Sequence, residues 1–425
     1  MEENNELLLI FDLDGTIFRT KETIFPAIKE VLNEIGLEDD IEGSIDSLIG
    51  EKTSEFCEKV KPKGIEMDEF IEKLWKKEKE FIDKSGSLYE GIREVLDECR
   101  SRDIPMVLCS NANRDYIEYV LDRFGLKDHF VEILSGSEFD DKRKAVENIV
   151  REYEGDPAVL IGDREIDKNA AAENGVIFLG VLYGYGRDEI EGEYFTIKAP
   201  KEILGHINQL EIFTAIENHY NSIDEDKIDT IGVNGIDNSG KTTFAKSLSE
   251  YLDARGYESK VISIDNFHNP QDIRGKGENP VDAYYENAFD TERLIEEILE
   301  PIRNNQEVHK ELEILNLKTD IYDLKKEYHV NRNDIVIIEG VLLYKEPLDR
   351  YIDYNIYLNI NFDIMIKRAR ERDEERFDEN VVKRYKEKYI PIQKKYIKED
   401  NPKLKSDMII DNNDFDKPKI IEISG

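Results

Sequence analysis

Leu7-Leu8-Leu9-Ile10-Phe11-Asp12-Leu13-Asp14-Gly15-Thr16 is the stretch that decides the fold class. Five apolar residues end abruptly in two carboxylates separated by a single leucine. Such a run, bounded by a turn signal, predicts a short buried strand. Residues two apart in extended chain point to the same side. Asp12 and Asp14 therefore face one another's ligand at the strand's carboxyl end, where open α/β sheets bind small molecules. A second stretch repeats the design with different chemistry. The apolar run Ile228 to Val233 leads into Gly235-Ile236-Asp237-Asn238-Ser239-Gly240-Lys241-Thr242, followed by Thr243 and a helix carrying Phe244, Ala245 and Leu248.

Working outward from the first stretch, Ala27, Ile28, Val31, Leu32 and Ile35 recur at helical spacing and stop at Gly36. Phe70, Ile71, Leu74 and Trp75 form another amphipathic stripe. Ile104 to Cys109 predicts a strand ending at Ser110-Asn111, and Ala158 to Ile161 one ending at Gly162-Asp163. Alternating strands and helices imply α/β architecture with parallel sheets. The helical stretch between the first two strands is too long for one crossover, so a helical cap is expected over about residues 20–100. Beyond the second stretch, strands are expected at Lys260 to Ile264, Asp334 to Ile338, Tyr354 to Leu358 and Met408 to Ile410. A helical pattern from Pro200 to Ile223 gives way to the polar Asn221 to Asp229. The expected organisation is two three-layer α/β domains, residues 1–222 and 223–425.

The chain has 425 residues, with 95 Asp and Glu against 59 Lys and Arg, for a formal net charge of -36. That field repels polyanions and argues against a broad nucleic-acid footprint, which needs basic residues to displace counterions. The three cysteines, Cys57, Cys99 and Cys109, have no paired spacing and suggest neither a disulfide framework nor a zinc cluster. The acidic start Met1-Glu2-Glu3 lacks the basic region of a signal peptide. A cytoplasmic protein with no membrane span is expected, and its oligomeric state is not readable.

A carboxylate can attack phosphorus and form an aspartyl phosphate, while a second carboxyl trades protons with the leaving group and with water. Asp163 and Asp167 bring two more carboxylates after a later strand. Four converging carboxylates require a cation, and Mg2+ prefers oxygen ligands. The pattern resembles the haloacid dehalogenase superfamily over about residues 6–205, in its phosphoglycolate phosphatase-like branch, to which Ser135-Gly136-Ser137-Glu138 and Val181 to Gly186 are also similar. The resemblance implies that Asp12 is the nucleophile and Asp14 the general acid/base, both at the metal site. It implies that Ser110 holds the transferring phosphoryl group, that Asp163 completes the Mg2+ site and that Asp167 supports it. It also calls for a lysine; Lys142 fits best, with Lys144 as its rival.

In the second stretch, glycines let backbone N–H groups wrap phosphates at a helix N-terminus. Gly235, Asn238, Ser239, Gly240, Lys241, Thr242 and Thr243 are the expected ATP-binding residues, with Lys241 reaching the β and γ phosphates and Thr242 ligating Mg2+. Asp265 ends the next expected strand, where it is placed to take a proton from an acceptor hydroxyl. Glu339 ends another and is a candidate for ordering the Mg2+ shell. Arg368, Arg370 and Arg372 lie in a charged helical stretch; as lid residues Arg368 and Arg372 would neutralise the transferring phosphoryl, and a solvated helix face explains any one of them equally well. Together with Ala288-Phe289-Asp290 and Tyr385 to Gln393, these residues resemble uridine kinase-like P-loop kinases over about residues 228–412. By that resemblance Asp265 is the base and Arg368 and Arg372 line the lid. His268 stands where those kinases usually carry Tyr. The segment Ile273 to Gly277 is a basic insertion whose Arg274 and Lys276 face either an anionic acceptor or solvent.

The leading expectation is a bifunctional enzyme: an Mg2+-dependent phosphomonoester phosphatase joined to an ATP-dependent kinase for a nucleoside or other small-molecule hydroxyl. Two other readings stay open at this point. One is polynucleotide end repair by a kinase-phosphatase. The other makes one half a regulatory ligand-binding module.

Overall fold

The computed structural model describes residues 7–36, 45–153, 155–193, 195–221, 229–372, 383–415 and 417–423. The chain divides into two compact units, Met1–Ile207 and Asn208–Gly425. That division falls inside the helix Glu202–Tyr220. The sequence-based boundary at 222/223 lies outside the described residues.

The first unit is built on a six-stranded parallel sheet of β1 (Leu8–Phe11), β2 (Met106–Ser110), β3 (Glu132–Ser135), β4 (Ala158–Gly162), β5 (Ile177–Val181) and β6 (Thr196–Ile197). The strand order is β3-β2-β1-β4-β5-β6. The chain first steps outward from β1 on one side and then resumes on the other, so β1 and β4 mark the switch point, the natural ligand crevice of such sheets. β1 is fully buried, as its unbroken apolar run predicts. Leu8, Ile10 and Leu160 pack beneath Ala145, Val146 and Ile149 of helix Lys142–Tyr153. Between β1 and β2 stands the expected cap, of helices Lys21–Glu34, Thr53–Val60 and Met67–Ser85. Its own apolar cluster includes Ala27, Ile28, Val31, Phe56, Phe70 and Leu74. A fourth helix, Ile92–Ser101, returns the chain to β2.

The second unit carries a six-stranded sheet. It contains β7 (Asp229–Gly235), β8 (Ser259–Ser263), β11 (Ile335–Gly340), β12 (Tyr354–Asn359), β13 (Met408–Asp411) and β14 (Lys419–Ile423). Its order is β14-β13-β12-β7-β11-β8, parallel except for the antiparallel β13–β14 pair. Between β8 and β11 lies an antiparallel hairpin that the apolar pattern does not predict, β9 (Val308–Asn316) and β10 (Ile321–Val330). Most of β10 is exposed and its centre is charged, so it offers little apolar signal. Among the described residues no helix is long and apolar enough to cross a membrane. Cys57, Cys99 and Cys109 are free and buried.

The C-terminal part of helix Glu202–Tyr220 is tied to this unit. Phe213 packs edge-on against Phe244 at a centroid distance of 5.3 Å. Glu217, 3% exposed, accepts hydrogen bonds from the Tyr251 hydroxyl and from Arg255 Nε at 3.1 Å. Removing one partner of a buried ion pair strands the other charge. Arg255→Met is therefore expected to cost about 2–4 kcal/mol, read as a lower urea midpoint at unchanged slope. Glu217→Gln, which leaves no orphaned carboxylate, should cost less; the reverse ranking would refute the pairing argument.

Candidate active sites

Both sets of motif residues collect at the carboxyl ends of neighbouring strands. In the first unit Asp12 and Asp14 follow β1, Ser110 closes β2 and Asp163 follows β4, three adjacent strands. Asp12, Asp163 and Asp167 present carboxylate oxygens within 4.8 Å of one another, all buried. Lys142 Nζ lies 2.6 Å from Asp12 and 2.5 Å from Asp167, and its side chain is 1% exposed. Lys144, the rival, is exposed on the same helix. Helix phase explains the choice: Lys142 shares a face with the buried Ala145, Val146 and Ile149, and Lys144 does not.

Two carboxylates thus share one ammonium, and the third, Asp163, stands beside them. Burial pushes the Asp12 carboxyl up to about 7, against the pull of Lys142 and with help from Asp167 and Asp14. Burial pushes Asp163 well above the carboxylate range, with repulsion from Asp12 and Asp167 added. Burial works against the Lys142 charge, but Asp12 and Asp167 outweigh it and hold the ammonium above its ordinary value. Asp163 Oδ2 accepts from the backbone N–H of Tyr185 at 2.6 Å, while Oδ1 is buried without a hydrogen-bond partner. A buried orphan oxygen in a cluster of excess negative charge suits a hard divalent cation. Asp167 also caps its helix, its Oδ2 accepting from Arg164 N–H at 3.2 Å. Glycines make room for this packing: a Cβ at Gly184 would stand 2.3 Å from the Asp163 side chain.

Asp14 is held differently. Its Oδ1 accepts from the Thr20 hydroxyl and, at 2.7 Å, from the Tyr116 hydroxyl. Burial raises its pKa, and those two donors oppose the rise. Ser110 Oγ accepts from Ala112 N–H at 3.2 Å. The cap is fastened over this site. Asn111 Nδ2 donates to Gly50 O at 2.9 Å, Lys52 Nζ to Phe139 O at 2.6 Å, and Arg164 to the carbonyls of Ser47 and Ile49. Tyr116 and Arg164 are not among the residues expected from the sequence. Neither belongs to a motif, and only the fold brings them here.

In the second unit Gly235 to Thr242 bridges β7 and helix Lys241–Ala254. Gly240 adopts φ +94°, which favours glycine, and a Cβ at Gly235 would lie 2.7 Å from the Leu358 carbonyl. Lys241 Nζ donates to Ile236 O at 2.9 Å, and the Ser239 hydroxyl is buried without a hydrogen-bond partner. Thr242 and Thr243 are exposed in the first helical turn. Asn238 Nδ2 donates to the Tyr385 hydroxyl at 3.0 Å. Glu339, on β11, is in register with Val233 of β7 and Ser263 of β8. Burial raises its pKa and Asp265 adds to the rise, while Ser263, Lys241 and Thr242 oppose it. The motif residues therefore surround one carboxylate. Asp265 lies exposed in the 3-10 turn Ile264–Phe267, one step beyond the strand rather than within it.

Arg368 turns inward. Its guanidinium donates to Asn238 O at 3.3 Å and Asn412 O at 2.7 Å and lies 3.4 Å from the centre of the Phe415 ring, bracing the phosphate loop. The side chain of Arg372 lies outside the described residues. Arg274 pairs with Asp320 at 3.0 Å, and Lys276 is exposed. His268 packs 4.5 Å from the Phe289 ring, and burial lowers its pKa.

A family model described as "Haloacid dehalogenase-like hydrolase" matches residues 9–181. Another, "Phosphoribulokinase / Uridine kinase family", matches residues 230–414. The first part of the chain is thus haloacid dehalogenase-like, and the second is similar to the phosphoribulokinase and uridine kinase family. The first part is 25% identical to a phosphoglycolate phosphatase of Aquifex aeolicus over 202 residues, 46% of this chain and 94% of that protein. The second is 29% identical to a uridine kinase of Ligilactobacillus salivarius over 178 residues, 41% of this chain and 81% of that protein. It is 31% identical to a uridine kinase of Limosilactobacillus reuteri over 145 residues, 34% of this chain and 64% of that protein.

A ligand that binds only the folded state raises stability by about 2.7 kcal/mol at a hundredfold excess over its Kd. For the phosphatase unit, saturating Mg2+ is expected to raise the melting temperature by roughly 5–10 °C. Asp163→Asn should abolish most of that rise in differential scanning fluorimetry. A rise that survives the substitution would remove Asp163 from the cation site.

Proposed function

We propose that the protein is a bifunctional enzyme, an Mg2+-dependent phosphatase for small phosphomonoesters joined to an ATP-dependent kinase for a nucleoside or similar small-molecule hydroxyl. The observation that carries the phosphatase reading is the buried cluster of Asp12, Asp163 and Asp167 around Lys142 at the sheet's switch point. The phosphoglycolate phosphatase and uridine kinase relatives support the pairing of the two activities.

In the phosphatase half, Asp12 attacks phosphorus and the P–O bond to the alcohol breaks, leaving an aspartyl phosphate. Asp14, whose pKa burial raises, gives the departing oxygen its proton. It then takes a proton from the water that hydrolyses the aspartyl phosphate, which restores both carboxyls. Lys142 and Ser110 hold phosphoryl oxygens. Asp12, Asp14 and Asp163, with Asp167 behind them, would hold a divalent cation, whose positive charge would offset that of the phosphate dianion facing the Asp12 carboxylate.

In the kinase half, the backbone N–H groups of Gly235 to Thr242 hold the phosphates of ATP at a helix N-terminus, with Lys241 and Thr242 beside them. Asp265, exposed and next to Glu339, takes the proton of the acceptor hydroxyl. Glu339 and Thr242 are the protein ligands available to the associated Mg2+. Arg368 keeps the loop in shape through Asn238.

The two chemistries should be separable. Asp12→Asn is expected to lower phosphomonoester hydrolysis at least about a thousandfold while acceptor-dependent ADP release continues. Lys241→Ala should give the opposite pattern, with a loss of about a hundredfold or more in ADP release. A coupled ADP assay and a phosphate-release assay on the same preparations decide the matter. Full phosphatase activity in Asp12→Asn, or full kinase activity in Lys241→Ala, would exclude the corresponding assignment.

A further inference from the structure

Cap and core of the phosphatase unit enclose a cavity of about 390 Å³ that opens onto Asp14. Ile24, Leu48, Phe56, Ile71, Leu74 and Trp75 form an apolar side of its wall. Its volume falls within the ~300–1,000 Å³ typical of small-molecule sites. A two-carbon alcohol would leave most of it unfilled.

Glu78 also lines the cavity. It belongs to the cap helix Met67–Ser85, where Phe70, Leu74, Glu78 and Ile82 are the buried residues, spaced four apart along one face. A carboxyl thus occupies a position in an apolar row. It is 7% exposed, and among the described residues no hydrogen bond or ion pair engages it. Buried polar groups are rarely left without a partner, and this one adjoins the space a substrate would fill.

The other charged groups in the wall are spoken for. Glu51 pairs with Lys59 at 2.5 Å, and Arg114 pairs with Glu138 at 2.6 Å. Asp115 is exposed to solvent, and Asp14 already accepts two hydroxyl donors. The wall contains no lysine, and its single arginine is engaged. A carboxylate on the substrate's alcohol part would meet the Glu78 carboxyl with no free cation in the wall beside it. A hydroxyl or amino group would complete Glu78 instead.

We propose that the phosphatase half acts on phosphomonoesters whose alcohol part is an apolar or aromatic body bearing a hydroxyl or amino donor for Glu78, and that it discriminates against phosphorylated carboxylic acids. This substrate class rests on the reading of Asp12 as nucleophile and Asp14 as acid, and it departs from what the names of the phosphoglycolate phosphatase relatives suggest. Glu78 then sets specificity by bonding the substrate away from the reacting phosphorus.

The test uses the full-length protein with Mg2+ and four probes: phenyl phosphate, 4-(hydroxymethyl)phenyl phosphate, 4-carboxyphenyl phosphate and 2-phosphoglycolate. The hydroxymethyl compound should exceed the carboxyphenyl compound and 2-phosphoglycolate in kcat/KM by tenfold or more. Glu78→Leu should shrink the hydroxymethyl-to-phenyl ratio to within about threefold, chiefly through KM. Glu78→Gln, which keeps a hydrogen-bond acceptor of the same size, should retain part of the ratio and guards against a folding defect in the leucine variant. Preference of the wild type for either carboxylated probe, or a ratio that neither substitution moves, would overturn the proposal. Failure to hydrolyse any of the four would instead overturn the phosphatase reading beneath it.

Discussion

One ammonium group, Lys142 Nζ, lies between the carboxylates of Asp12 and Asp167 in a site closed to water. The rest of the phosphatase unit's active end is organised around that imbalance of charge. Asp163 adds a third carboxylate that the lysine does not contact, and its one satisfied oxygen depends on backbone N–H groups at Tyr185 and Gly186. Those amides can approach only because Gly184 and Gly186 leave no Cβ in the way. Gly15 is bare for the same reason on the opposite side, at φ +86°. Glycines on two separate loops therefore serve one carboxyl. Close packing against that carboxyl, and not turn geometry alone, explains why side chains are excluded there.

The kinase unit presents the inverse electrostatic problem. Its phosphate loop offers donors that await an acceptor: a buried Ser239 hydroxyl without a partner and a helix N-terminus at Lys241. Lys241 meanwhile donates to the Ile236 carbonyl, a bond that an anionic phosphate oxygen would outcompete. Arg368, Asn412 and Phe415 brace the loop from outside, so its shape is maintained by carbonyl contacts and a cation–π stack. One unit is built to receive a cation and the other an anion, on sheets that share the same rule about strand ends.

Much of this is legible in the sequence because both sites sit where apolar runs stop. Asp12, Asp163 and Glu339 each interrupt or follow an unbroken β-branched or leucine-rich run, and that pattern alone places them at strand ends. Helix phase carries further information. Lys142 and Glu78 both stand in register with apolar neighbours, at 145, 146 and 149 in one case and at 70, 74 and 82 in the other. A charged residue in phase with a buried stripe is the signal that separates Lys142 from Lys144 and singles out Glu78. The β9–β10 hairpin offers no such signal, because charged residues break up its apolar ones and few positions per strand reach the core. Tyr116 and Arg164 escape sequence reasoning for a different reason. Their partners, Asp14 and the Ser47–Ile49 backbone, are more than 100 residues away.

A phosphatase and a kinase in one chain would merely hydrolyse ATP if they shared a substrate pair. The two substrate regions are chemically unlike. The phosphatase cavity has an apolar side made by cap residues and carries the buried Glu78 carboxyl among them. Around Asp265 the kinase gathers His268, Tyr284 and Arg274, a polar and aromatic set in which the arginine is balanced by Asp320. The first favours an apolar body with one donor, and the second a polar acceptor held between rings. Recognition of the alcohol part differs even though both reactions move a phosphoryl group. With the substrate classes proposed above, selectivity for the alcohol part, rather than any difference in phosphoryl chemistry, would keep the opposing activities from cancelling.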